Sequence, residues 1–257
     1  MSLPNPFLIR PAPKKGKKGA PLVLLHDGGG TIFSYLQLGA LGRDVYGIHN
    51  TRPGPTGVWE GGIAQMAAEY LDLIKTVVPS GPIIIGGWSL GGLVSFEMAR
   101  QMAASAGSSS SSEQLQVLGL IMIDSRHPST FTDKELVLPD SIKPAIRESI
   151  QHNMTQSRQL IRDYSTPSWP QGSQPPPTMF LRATRDLDGV PLPIQADAAS
   201  STRNGRMEGW REYEHDFIRE VVEVEGTHFS IFEDQNIGEL DKKLLAACKT
   251  LDRGVKS

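Results

Sequence analysis

The sequence predicts an α/β fold: a mostly parallel central sheet with helices on both faces and an inserted helical lid. Three observations predict it. Short, wholly apolar runs bounded by Gly, Pro or Asp recur along the chain, as strands buried on both faces require. Segments of helical periodicity alternate with these runs, the order that gives parallel strands joined by right-handed crossovers. Over about residues 125–177 the alternation breaks, and a proline-rich stretch with its own helical stripe marks the insertion.

Leu22–Leu25, bounded by Pro21 and by Asp27-Gly28-Gly29-Gly30, is a buried strand, and 45–49 ("VYGIH") is the next, closed by the turn-forming "NTRPGPTG". Ile63, Met66, Ala67, Tyr70, Leu71, Ile74 and Val78 then share one helix face. A strand at 83–85 leads into a helix over about 90–102, and the Ser-rich stretch over about 105–113 offers nothing to pack and reads as a flexible loop. Further strands are expected at 117–123, 178–183 and 220–224, and a closing helix over about 237–249. In the inserted segment, Ile142, Ile146, Ile150 and Met154 stand four residues apart, an apolar stripe that either lines a chamber or packs on the body of the domain.

The chain of 257 residues, 39% hydrophobic and 21% charged, fits one domain spanning 1–257. A net charge of -2 supplies no field to gather nucleic acid or anionic lipid. A single cysteine, Cys248, lies in an apolar-periodic segment and reads as a buried, inert thiol. No apolar block suits a signal peptide or a membrane span, so the expected location is the cytoplasm and the expected state a monomer. Lys14, Lys15, Lys17 and Lys18 read as a solvated turn. No histidines or cysteine fall at metal-ligand spacing on one element, so no metal is expected.

Gly87-Trp88-Ser89-Leu90-Gly91 fits G-x-S-x-G, with a predicted strand before it and a helix after it. Such a turn is tight and strained, which is why small residues flank the serine. It lifts the Ser89 hydroxyl to a helix N-terminus, where the Leu90 N–H can stabilise an oxyanion. In chain order an acid and then a histidine should follow the nucleophile. Of six histidines, His26 and His49 precede Ser89, His127 and His152 lie in or beside the insertion, and His215 sits in the charged run "EYEHDF". His228 alone sits in the loop leaving the last strand, at the sheet edge where the serine emerges. Carboxylates end two strands, Asp124 on one and Asp186 or Asp188 on the other; spacing leaves the choice open, and the habit of such folds favours the later strand. The second oxyanion donor is expected in "HDGGGT", at the N–H of Gly28 with Gly29 next, and Asp27 reads as a turn residue.

With these pieces placed, "LVLLHDGGG", "PIIIGGWSLGGLVSFEMARQ", "LGLIMIDSRHP" and "VEGTHFSIFED" make the chain resemble, over roughly residues 20 to 250, the thioesterases of polyketide synthases and nonribosomal peptide synthetases. These belong to the α/β-hydrolase superfamily. The resemblance implies Asp124 as the acid, since in that family it commonly follows the strand after the nucleophile helix. It also implies a substrate presented as an acyl thioester on the phosphopantetheine of an acyl carrier protein, with no further cofactor. Ser89 would take the acyl chain, and water or a hydroxyl of the chain itself would release it. Trp88 and the stripe Ile142, Ile146, Ile150 and Met154 are the substrate-contact candidates. The chain opens on a methionine without an upstream linker, so a free-standing, trans-acting enzyme is expected. Arg126, Lys143 and Arg147 are candidates for contact with an acidic carrier, although charges of this kind are usually just solvated.

Overall fold

The computed structural model describes residues 3–54, 56–105, 114–131, 144–186 and 209–254, apart from the side chains of residues 145 and 146. Its seven strands are β1 (Phe7–Arg10), β2 (Leu22–Leu25), β3 (Val45–Ile48), β4 (Gly81–Trp88), β5 (Leu115–Ile123), β6 (Thr178–Ala183) and β7 (Ile218–Val224). They form one sheet in the order β1-β3-β2-β4-β5-β6-β7. From β3 to β7 all neighbours run parallel, and β1 alone is antiparallel, on β3.

The apolar runs are explained by burial on both faces. Successive side chains of a strand point to opposite sides, and here Val23, Leu25, Ile83, Ile85, Leu120 and Met122 enter one core, while Leu22, Leu24, Ile84, Ile121 and Ile123 enter the other. The first core is covered by α1 (Gly62–Lys75), through Ile63, Met66, Ala67, Tyr70 and Ile74, and by α2 (Leu90–Ser105), whose residues from Leu90 to Ala99 are all buried. The second is covered by the C-terminal helix, which contributes Leu240, Leu244, Ala247, Cys248 and Leu251. Cys248 is fully buried, and burial pushes its thiol up to about 12, which leaves it unreactive.

Between β5 and β6 stands α3 (Pro144–Asp163), and after β7 comes α4 (Asp234–Arg253). The expected stripe on α3 is only partly visible, because Ile142 and the Ile146 side chain lie outside the described residues, as do Lys143, Asp188 and residues 106–113 of the Ser-rich stretch. The inward face of α3 differs from that stripe. Asn153, Ser157, Leu160 and Ile161 are its buried residues, whereas Ile150 and Met154 are half-buried. Among the described residues no helix is long and apolar enough to cross a membrane.

Candidate active site

The turn between β4 and α2 holds Ser89 at φ 55°, a left-handed conformation that costs a non-glycine residue about 1–3 kcal/mol. Two backbone hydrogen bonds hold it there: the Ser89 N–H donates to Ile123 O at 2.9 Å, and the Gly92 N–H donates to Ser89 O at 3.1 Å. The flanking glycines answer to close approach of backbone. A Cβ on Gly91 would lie 2.4 Å from Leu25 O, and one on Gly87 2.7 Å from the same oxygen. Tyr35 fastens the neighbouring strand ends, donating its hydroxyl to Leu25 O at 2.7 Å and accepting the Trp88 N–H at 2.8 Å.

The bond from Ser89 to Ile123 places the end of β5 beside the serine, and the next residue there is Asp124. It too has a left-handed backbone, φ 45°, and is 2% exposed. Its Oδ2 accepts from His228 Nδ1 at 2.7 Å, and its Oδ1 accepts the Ala183 N–H at 3.0 Å. Burial pushes the Asp124 carboxyl up. The His228 hydrogen bond and charge, the Ala183 N–H and the Arg126 charge outweigh it, so the carboxyl is held below its ordinary value and stays ionised. The structure thus puts Asp124 beside His228. Asp186, on the neighbouring strand end, is not the carboxylate on this imidazole. Of the other histidines that follow Ser89, His127 Nδ1 lies 2.8 Å from Ser129 Oγ and His215 Nε2 lies 3.4 Å from Glu214 Oε1.

The loop after β2 holds Gly28, the residue the sequence offers as an oxyanion donor. His26 is buried, and burial, offset by the Asp27 carbonyl and reinforced by the charge of His49, drives it down to about 4, so its ring is neutral. A carbonyl only accepts, so Nδ1 carries the proton given to Asp27 O at 2.6 Å, and Nε2 accepts from Tyr70 Oη at 2.6 Å. The Gly30 N–H donates to the same Asp27 O at 3.0 Å. In a planar trans peptide the N–H points away from the carbonyl, so fixing Asp27 O fixes the Gly28 N–H. Leu90 N–H lies at the first position of α2, where no helical carbonyl reaches back to it. Asp27 takes the turn role expected of it, its Oδ1 accepting the Gly29 N–H at 2.8 Å. Burial raises its carboxyl to about 6 against the lowering effect of the Gly29 and Thr31 N–H groups and the His228 charge.

Ser89, Asp124, His228 and Gly28 line one cavity whose apolar wall includes Leu93, Phe131, Met154, Ile161 and Phe229. A second cavity continues past Gly28, Ser89 and His228 to Trp88, Ile150 and Met154. Of the substrate-contact candidates, Trp88, Ile150 and Met154 line this second cavity. Phe229, Leu93, Phe131 and Ile161 are wall residues that the sequence reading omits. It also omits Asn153 and Ser157, whose side chains donate to Gly29 O at 3.0 Å and to Gly28 O at 2.8 Å. The available signal was a pair of polar residues four apart on the helix face that also presents Leu160 and Ile161.

The model of the thioesterase domain family matches residues 20–246. The thioesterase AMT4 of Alternaria alternata is 35% identical, covering 97% of this chain and 94% of that protein. The nonribosomal peptide synthetase imqB of Aspergillus flavus is 28% identical over 98% of this chain and 8% of its own length. Among solved structures, the NocB thioesterase domain from the nocardicin cluster superposes with a TM-score of 0.64 at 22% identity, covering 90% of this chain and 95% of that one, which supports the α/β-hydrolase fold. Since the family model covers residues 20–246, from just before β2 into α4, this chain belongs to the thioesterase domain family.

Proposed function

We propose that the protein is a serine thioesterase of secondary metabolism that takes an acyl chain of polyketide type from the phosphopantetheine thiol of an acyl carrier protein onto Ser89. His228 accepts the Ser89 proton as the hydroxyl attacks the thioester carbonyl, and Asp124 holds the imidazole with Nε2 facing the cavity and stabilises the imidazolium that forms. The N–H groups of Gly28 and Leu90 receive the oxyanion. Collapse expels the thiol, which takes the proton from His228. A water or a hydroxyl of the acyl chain then gives its proton to His228 and attacks the Ser89 ester, and His228 returns that proton to Ser89 Oγ as the acid or lactone leaves.

The observation that supports this reading best is the 2.7 Å contact between Asp124 and His228, 104 positions apart in the chain, on the wall of the cavity that also holds Ser89. Among the described residues no group holds the Ser89 hydroxyl in a hydrogen bond, and such contacts commonly tighten only when substrate arrives. The apolar wall suits an acyl chain, and the family supports a thioester over an oxygen ester. The likeness to a stretch of a nonribosomal peptide synthetase supports a carrier-bound substrate.

The test compares a hexanoyl thioester on a carrier protein, the same acyl group on free pantetheine, and hexanoyl ethyl ester. The proposal expects the order carrier, pantetheine, oxygen ester in kcat/KM. A preference for the oxygen ester with no gain from the carrier would replace it with a small-molecule carboxylesterase. Products of a hydroxyacyl thioester, identified as lactone or acid, decide between cyclisation and hydrolysis.

A further inference from the structure

Three consecutive glycines, Gly28, Gly29 and Gly30, form the oxyanion loop, and glycine peptides flip between left- and right-handed regions at little cost. Left to itself, such a loop has no preferred direction for its N–H groups. The structure fixes all three peptide planes from outside. The plane of Asp27–Gly28 is held by His26 Nδ1 and the Gly30 N–H on its carbonyl. In the plane of Gly28–Gly29, the carbonyl accepts from Ser157 Oγ at 2.8 Å and the N–H donates to Asp27 Oδ1 at 2.8 Å. The carbonyl of Gly29–Gly30 accepts from Asn153 Nδ2 at 3.0 Å, while Asn153 Oδ1 is itself oriented by the Gly54 N–H at 3.3 Å.

Asn153 is 4% exposed and Ser157 6% exposed, on a helix face shared with Leu160 and Ile161. Polar side chains are buried where they find partners, and these two find theirs in the loop. The packing is close as well: a Cβ on Gly30 would lie 2.8 Å from Asn153 Nδ2, and one on Gly28 3.0 Å from Met154 Sδ.

We infer that α3, besides covering the cavity, completes the oxyanion loop: Ser157 and Asn153 are positioning residues that hold the glycine peptides, and through them the Gly28 N–H, in the direction the tetrahedral intermediate requires. This rests on the serine mechanism proposed above. It makes turnover depend on α3 being seated against the loop.

The variants Ser157→Ala and Asn153→Asp test it; the latter keeps an acceptor for the Gly54 N–H and removes the donor to Gly29 O. With hexanoyl-pantetheine as substrate, each is expected to lose about tenfold in kcat, part of what a whole oxyanion donor contributes, with KM nearly unchanged. Pentylboronic acid, which forms a tetrahedral adduct on a serine, should weaken as an inhibitor by the same factor, whereas hexanoic acid should not. Ser157→Thr, which keeps the hydroxyl, should restore both. Unchanged kcat and boronate inhibition in the variants of a boronate-sensitive wild type would overturn the inference alone. So would parallel weakening of boronate and acid without rescue by threonine, the mark of lost packing. A wild type that the boronate does not inhibit would overturn the serine mechanism and this inference with it.

Discussion

His228 Nδ1 lies 2.7 Å from Asp124 Oδ2, and the second oxygen of that carboxylate accepts the Ala183 N–H at 3.0 Å. Asp124 is thus held from β6 while it holds the imidazole from β5. A carboxylate fixed at both oxygens sets the tautomer as well as the orientation of the ring. Asp124→Asn should therefore keep the shape of the site yet lower kcat by about 10³- to 10⁴-fold. Asp186→Ala should stay within about twofold of wild type, because the carboxylate on the His228 ring is Asp124. Steady-state kinetics on a pantetheine thioester check both; the reverse ranking would move the acid to β6.

The two neighbours His26 and Asp27 predict opposite responses of stability to pH. His26 titrates near 4 when folded against 6.5 when unfolded, so between these values the unfolded chain binds more protons and stability falls as pH drops. Asp27 titrates near 6 when folded against 3.8 when unfolded, so over nearly the same window the folded chain binds more protons and stability rises as pH drops. The two largely offset each other. Asp27→Asn removes one side, and urea midpoints from pH 6.5 to pH 4 should then fall more steeply than in wild type; equal slopes would contradict the assignment.

Asp124 has the opposite sign to Asp27. Its folded carboxyl is held below the ordinary value, so its contribution is present above about pH 4 and is lost as pH falls through the folded value. In Asp124→Asn that acid-side loss should be missing from the denaturation profile.

Two glycine substitutions should move stability in opposite directions. Gly91→Ala forces a Cβ to 2.4 Å from Leu25 O and 2.7 Å from His26 O, backbone atoms that cannot yield, and should cost about 3 kcal/mol or more, or prevent folding. Gly238, exposed on α4, has nothing within 4 Å of its Cβ position, and Gly238→Ala should add about 0.5–1 kcal/mol. Thermal denaturation of the two variants decides both.

How much was legible in the sequence follows from how local each signal is. The strands of the sheet interior could be read because burial on both faces makes them wholly apolar. The edge strand β1 was missed: in Phe7–Arg10 only Ile9 is buried, and the pairing with β3 is made with residues far along the chain. Ser89 was legible because strand, tight turn and helix are contiguous, and His228 because only one histidine leaves the last strand. Asp124 was not decided by spacing, since carboxylates follow both β5 and β6, and the family resemblance tipped the choice. Asn153 and Ser157 were invisible because they act on backbone carbonyls 124 and 129 positions earlier, which no local pattern records.

The central claim is that the acyl chain is held on the hydroxyl of Ser89. Intact-mass and peptide mass spectrometry of the protein quenched after mixing with a slowly released acyl-pantetheine tests it most directly. One acyl mass on the peptide containing Ser89, absent in Ser89→Ala together with turnover, is the predicted result. Acylation at another residue, or a Ser89→Ala protein that still turns over the thioester at the wild-type rate, would contradict it.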